Sequence, residues 1–354
     1  MDSQPPGLDF AIIGHQDSWE NITSFVNAIR KPEFGMLTEE KIRQVFSFIP
    51  PRELFRVKVK SQTGTEINGA YIETFITPDT LTTNNLRSNL AKVRAAAACA
   101  EKLGARIVTL GGFTSIVLEG NLDLLSSNQT IAYTTGNTLT ASFIVKGIEF
   151  VTAQKGIDLN DANVLIIGAT GDIGQACVQY FKHKVSKLLL CARNDNRLKK
   201  LAEIIRDEKI SVKHSTSYKE LIAEADIIIC VASTSEFKIE NCKKGAIVCD
   251  AGYPKNIQSS TEVEFPSIFH GGMGCVSQGY EFSPDYLKYF YRFPFPYITH
   301  GCILEAMVLA FENKLESFSN GKGKITTENM EEIFAMSNRH GIQLAPLYNL
   351  KGLW

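Results

Sequence analysis

Paired cysteines are missing from this chain: its eight (Cys99, Cys177, Cys191, Cys230, Cys242, Cys249, Cys275 and Cys302) stand singly, with no CxxC spacing. That argues against a zinc module or a disulfide scaffold and leaves eight free thiols suited to a reducing compartment. Equally absent is an uncharged apolar run long enough to cross a bilayer, and the opening MDSQPPGLDF lacks the basic start and apolar core of a secretion signal. The expected location is cytoplasmic, with weak peripheral membrane contact at most. Charge of one sign is also lacking. Lys and Arg number 37 against 38 Asp and Glu, a net of -1, so nothing electrostatic calls for nucleic acid or an anionic surface. No repeat or low-complexity tract is visible.

What is there is globular. The 354 residues are 44% hydrophobic and 21% charged, too many for one ordinary core and suited to two or three domains. The first part alternates strands and helices. Strands are expected at FAIIG (10–14), FRVKVKS (55–61), AYIETFI (70–76), RIVTL (106–110) and TIAYT (130–134), with an alanine-rich helix around Val93 to Leu103. Thr38, followed by Glu39 and Glu40, opens a surface helix whose Ile42, Val45, Phe46 and Ile49 share a face before Pro50 and Pro51 end it. This pattern implies an α/β layer with a largely parallel sheet.

From Asn163 the signal sharpens. NVLIIGATGDIGQACVQYF is strand, glycine turn and helix, followed by strands at 187–192, 210–214, 225–233 and 245–252, with Ser142 to Lys155 as the helix leading in. The fold expected is α/β: a Rossmann-type doubly wound parallel sheet at 145–270, an N-terminal α/β substrate domain at 1–144 and a mainly helical C-terminal segment at 271–354. Gly168, Gly171 and Gly174 form the turn, with Ala169, Thr170, Asp172 and Ile173 between them. A glycine triplet alone also serves ordinary turns; after a buried strand and before a helix it lets backbone N–H groups face a pyrophosphate. At the end of the second strand Ala192 and Arg193 stand where an acidic residue would select NAD, and the arginine suits a 2'-phosphate. NADPH is therefore expected, although Asp195 two residues on would suit NAD. Ala232 and Ser233, after the fourth strand, complete the expected cofactor contacts.

HGCILEAMVLAFE (300–312) is an apolar helix with Cys302 on its first turn. A free cysteine is commonly core filler; at a helix start its thiol pKa is lowered and it becomes a nucleophile. Glu305, one turn on, opposes that effect. Thr114, Ser115, Thr135 and Asn137 lie at first-domain strand ends, where they either orient a substrate carbonyl or cap helices. Lys255 either reaches a phosphate or oxyanion or is a solvated loop cation. No metal ligand set is read. YLKYFYRFPFPY (286–297) reads as a core cover or as a wall for a long apolar ligand, whose burial is worth about 0.8 kcal/mol per CH2.

Taken in order, GHQDSWEN, GAYIETFITPDTL, LGGFTSI, TTGNTLTA, GATGDIG, CDAGYPKN, CILEAMVLAFE and RHG resemble the cyanobacterial-type long-chain acyl-[acyl-carrier-protein] reductases from about residue 10 to 345. The resemblance implies an NADPH-dependent enzyme reducing a fatty acyl thioester on acyl carrier protein, or acyl-CoA, to a fatty aldehyde. It implies Cys302 as the acyl-carrying thiol, with an aldehyde-consuming oxygenase as a further partner. The stretch MGCVSQGYEFSPDYLKYFYRFPFPYIT and His300 depart from the family pattern, so His300 inherits no role. Two other readings stand beside this one: a shikimate dehydrogenase-like NADP-dependent ketone reductase, and a non-catalytic NADP-sensing regulator.

Overall fold

The computed structural model describes the chain except for residues 1–6, 119–121, 123–124, 126–130, 207–209, 233–236, 239–240, 254, 258–266, 287–292 and 320–322. The chain divides into two compact units, Met1–Gly136 with Val276–Gly321 and Met336–Gln343, and Asn137–Cys275 with Lys322–Ala335 and Leu344–Trp354. The segment from 271 onward is shared between them, because its strands and helices complete the cores of the two larger parts.

The first unit is built on a six-stranded sheet. Its strands are β1 (Phe10–Gly14), β2 (Arg52–Lys60), β3 (Glu66–Glu73), β4 (Ile107–Leu110) and β5 (Ala132–Thr134), joined by Tyr280–Ser283. Their order is Tyr280–Ser283, β2, β3, β1, β4, β5. The last four are mutually parallel, while β2 runs antiparallel to both neighbours. The sheet is thus mixed rather than largely parallel at this edge: residues 61–65 link β2 to β3 by a hairpin too short for a crossover helix. Helix α1 (Trp19–Ile29), which the sequence reading had left out, is capped by the Ser18 hydroxyl, and α2 (Glu39–Phe46) is capped by Thr38 as expected. Only Ile42 and Phe46 of α2 are buried, and Val45 faces solvent. Helix α3 (Leu86–Lys102) lays Val93, Ala96, Ala97 and Ala100 on Ala11, Ile13, Ala70 and Ile72 of the sheet.

The second unit opens with α5 (Asn137–Lys155), which follows the short α4 (Phe113–Val117) of the first unit. It contains β6 (Asn163–Ile167), β7 (Lys187–Cys191), β8 (Ser211–Ser215), β9 (Ile227–Cys230), β10 (Ile247–Asp250) and β11 (Ser267–His270) in the order β11, β10, β9, β6, β7, β8. All five pairings are parallel. Successive residues alternate between two cores: Val164, Ile166, Leu188 and Leu190 join the layer holding α5 and α6 (Asp172–Phe181), while Leu165, Ile167, Leu189 and Ile228 join the opposite one. A parallel sheet covered on both faces reads as the unbroken apolar runs seen in the sequence. Strand order reverses between β6 and β9, the place where doubly wound sheets hold a dinucleotide. Among the described residues no helix is long and apolar enough to cross a membrane.

Candidate functional site

The helix Gly301–Phe311 packs on β4 and β1 and is buried almost all round, as its apolar sequence requires. Cys302, on its first turn, is partly exposed, as are Ile303 and Phe311. Backbone N–H groups of Gly112, Ile303 and Cys302 itself favour the thiolate at its sulfur, but burial outweighs them and, aided by the Glu305 carboxylate, pushes the thiol above its ordinary pKa. The expected lowering by the helix start is therefore present as a component and overridden by desolvation. Backbone donors and burial thus act on this thiol in opposite directions, and burial prevails.

Two contacts set the cysteine's backbone. The Thr109 hydroxyl on β4 donates to the Cys302 carbonyl at 2.6 Å. Gly136, at the end of β5 with φ +71, approaches so closely that a Cβ there would lie 2.2 Å from Cys302 Cα. Glu305 is wholly buried. Its Oε1 accepts from the Thr134 hydroxyl and from Ser319 Oγ at 3.2 Å, and Thr135 Oγ1 donates to Ser319 Oγ at 2.7 Å. Thr135 thus belongs to the scaffold that seats Glu305, with its hydroxyl spent there.

Gly112 opens α4 with φ 52 and ψ -119, a conformation that only glycine adopts readily. The next N–H, of Phe113, donates to His15 Nε2 at 2.8 Å. His15 is buried, and burial holds its pKa below the ordinary value against the Gln16 carbonyl and Asp17. Thr114 Oγ1 donates to the Gly111 carbonyl at 2.8 Å, and Ser115 Oγ to the Gly112 carbonyl at 2.8 Å. Both hydroxyls therefore brace this turn. Sequence reading missed His15, Thr109 and Gly112, although all three sit in or beside quoted motifs. It missed Glu73 as well, for which a carboxylate closing a buried strand was the available signal.

Glu73 ends β3 beside β1. It accepts from Gln16 Nε2 at 3.1 Å, Tyr71 Oη at 3.2 Å and the Phe75 N–H at 3.0 Å. Burial pushes its carboxyl up to about 7 despite those donors. Phe75 holds a left-handed φ of 53, which the bond from its N–H steadies. Of the aromatic stretch, 287–292 fall outside the described residues; Tyr286 meets Phe25 and Phe55 edge-on, and Phe293 meets His300.

In the second unit the glycine turn is assembled from main chain. Gly168 has φ +95, and a Cβ on it would lie 3.0 Å from Ala232. Its N–H and that of Ala169 donate to the Cys191 carbonyl at 2.8 and 3.0 Å. A Cβ on Gly174 would come 2.1 Å from the Gly168 carbonyl oxygen, so α6 presses directly onto the turn. Gly171 caps α6 with no side-chain acceptor, and Thr170 and Ile173 beside it are half-buried. This is a cradle of the kind that holds a pyrophosphate of a nicotinamide dinucleotide. Asp172 accepts from Asn137 Nδ2 and from the Gly323 N–H, each at 2.9 Å, so Asn137 lies with the phosphate helix. After buried Ala192 comes exposed Arg193, while Asp195 pairs with Lys199 at 2.6 Å. Ser233 lies outside the described residues.

Lys255 donates to the Asp250 carbonyl at 3.1 Å and more weakly to that of Gly271 at 3.5 Å. It is fastened to the sheet's end rather than solvated. The buried Asp250 carboxylate collects the N–H groups of Gly252, Asn256 and Ile257 and the Asn256 amide at 2.9 to 3.2 Å, which shapes this loop. Burial raises the other thiols in this unit: Cys177 to about 12, Cys191 to about 11, and Cys230 and Cys249 well above their ordinary value. Cys275 is shifted up as well. Among the described residues no cluster of His, Cys, Asp and Glu is arranged to hold a metal.

A family model described as shikimate / quinate 5-dehydrogenase matches residues 151–268, the dinucleotide part of the second unit. Among solved structures, quinate dehydrogenase of Corynebacterium glutamicum in complex with NAD is similar at 15% identity, covering 69% of this chain and 80% of that one with a TM-score of 0.35. The aminotransferase PigE of a Serratia species is 26% identical over 256 residues, 69% of this chain and 28% of that protein. The long-chain acyl-[acyl-carrier-protein] reductase of Synechococcus elongatus is 33% identical over 347 residues, which span 94% of this chain and 98% of that enzyme. On that near full-length match the chain belongs to the long-chain acyl-[acyl-carrier-protein] reductase family of oxidoreductases.

Proposed function

We propose that the protein reduces long-chain acyl groups carried on acyl carrier protein to fatty aldehydes, with NADPH as donor and Cys302 as the acyl acceptor. The observation that carries this reading is a partly exposed Cys302 on the first turn of a largely buried helix, with the Gly112, Ile303 and Cys302 N–H groups favouring its thiolate. A thioester is reduced by one hydride most easily once moved to an enzyme thiol, which splits one hard step into two. The Cys302 thiolate attacks the thioester carbonyl, the bond to the carrier sulfur breaks, and the carrier thiol leaves with the proton that Cys302 gave up. The bound NADPH supplies a hydride. With one proton added, the resulting thiohemiacetal on Cys302 breaks its C–S bond, returning the thiol and releasing aldehyde.

The chain's own groups take distinct parts. The three N–H donors hold charge at the sulfur or on the developing oxyanion. The backbone of 168–174 and the start of α6 receive the pyrophosphate, and Arg193 pairs with the 2'-phosphate. With Asp195 engaged by Lys199, the acidic group that would favour NAD is occupied. The dehydrogenase family model covers the dinucleotide part alone, so it speaks to the cofactor and leaves the substrate to the first unit. An aldehyde-consuming oxygenase is the class of partner that would take the product.

The test is incubation with a C16 or C18 acyl carrier protein thioester without NADPH, then peptide mass spectrometry. An acyl adduct on Cys302 is expected, with aldehyde appearing by gas chromatography once NADPH is added. An unmodified Cys302, or aldehyde formation by Cys302→Ala, would overturn the proposal.

A further inference from the structure

His15 enters none of these steps, yet it touches the turn that faces the cysteine. It follows β1, is buried, and its Nε2 accepts the Phe113 N–H at 2.8 Å. A ring nitrogen that accepts is unprotonated, so the ring's proton sits on Nδ1, 3.3 Å from the Gln16 carbonyl. Phe113 follows Gly112, whose backbone N–H is one of the groups that favour the Cys302 thiolate. The same turn is tied to β1 by the Gly111 N–H, 2.9 Å from the Ile13 carbonyl, and its φ of 52 at Gly112 is a conformation that needs outside support.

We propose that His15 is a positioning residue for Cys302: by accepting the Phe113 N–H it holds the Gly111–Phe113 turn with the Gly112 N–H directed at the cysteine sulfur. The inference rests on reading Cys302 as the acyl acceptor, but its consequence is visible in the free thiol. Without the histidine acceptor the turn relaxes, the sulfur loses a donor, and burial and Glu305 act on it less opposed. The thiolate then forms at higher pH. Around His15 the charged group that bears on it is Asp17, and around Cys302 it is Glu305; neither is altered by changing the ring.

Alkylation of Cys302 by iodoacetamide, followed by peptide mass spectrometry from neutral to alkaline pH, reads this directly and uses no acyl donor. His15→Phe keeps an aromatic ring and removes the acceptor; His15→Gln restores an acceptor at similar reach. The expected result is a rate at neutral pH roughly tenfold lower for H15F, with its profile displaced to higher pH, and a rate within about threefold of the native protein for H15Q. Superimposable profiles for H15F and the native protein would overturn the proposal. In the unaltered protein, long-range 1H–15N NMR should show His15 neutral with its proton on Nδ1. A proton on Nε2 would overturn the proposal whether or not any variant folds. A failed acyl transfer to Cys302 with these results intact would instead strike the catalytic reading.

Discussion

A carboxyl held at about 7 by burial makes Glu73 a group whose charge opposes folding. Its folded pKa lies above the unfolded value of 4.5, so the native state binds the extra proton. That contribution is complete below the unfolded pKa and is lost as pH rises through 7, at most about 3 kcal/mol. The stability difference between the native protein and Glu73→Gln, measured by urea unfolding, should therefore move in favour of the variant from about pH 5 to about pH 8. An equal difference at both pH values would refute the assignment. Arg193 is the second residue with a distinct outcome. Arg193→Ala should raise the KM for NADPH by at least about tenfold while leaving that for NADH nearly unchanged, since only the former has a 2'-phosphate to lose. Equal changes for the two cofactors in steady-state kinetics would remove its role. The glycine turn was legible because a strand, a turn and a helix that follow one another in the chain form it. His15 and Gly112 were not, because their meaning comes from contacts with residues far away in sequence.

The helix Gly301–Phe311 shows the same division at the scale of an element. Its existence and its burial follow from an apolar stretch, but its seat depends on Gly136 and Thr109, which no periodicity connects to it. Gly136→Ala would place a Cβ inside the Cys302 backbone. The expected effect is a loss of about 3 kcal/mol or more in stability together with loss of aldehyde formation, checked by thermal unfolding and product analysis. A variant as stable and active as the native protein would show that the helix shifts freely. Strands β1 and β6 were readable from unbroken apolar runs, and the cap of α2 from Thr38. Helix α1 escaped although six of its eleven residues are apolar and Ser18 caps it; Trp19 and Ile22 alone are buried. The hairpin of β2 and β3 escaped because strand signals carry no direction.

Across the molecule, each unit carries a buried group that ties stability to pH, Glu73 in the first and His270 in the second. His270, in the second unit, has its pKa lowered from 6.5 to about 4 by burial and by Lys255. A folded pKa below the unfolded one means that its neutral ring supports the fold above 6.5 and ceases to do so as pH falls toward 4. His270→Phe should therefore lose less stability than the native protein between about pH 7 and pH 5, in calorimetry; a parallel loss would refute the effect. The boundary between units at Gly136 and Asn137, and the sharing of the C-terminal segment, were not visible in composition, which changes little along the chain.

The main-chain build of the glycine turn has a further consequence, one for how such a protein can change over generations. A cradle formed by Gly168, Gly171 and Gly174 presents backbone where another protein would present side chains, and the closeness of Ala232 and the Gly168 carbonyl leaves no room for substitution. Mutation can abolish that end of the site but cannot tune it. The exposed stretch from Arg193 to Arg197, a turn and the start of a helix, is made of side chains with little packing behind them. Substitution is thus open at a few surface positions and closed in the main-chain turn beside them, so neighbouring parts of one sheet end drift at different rates.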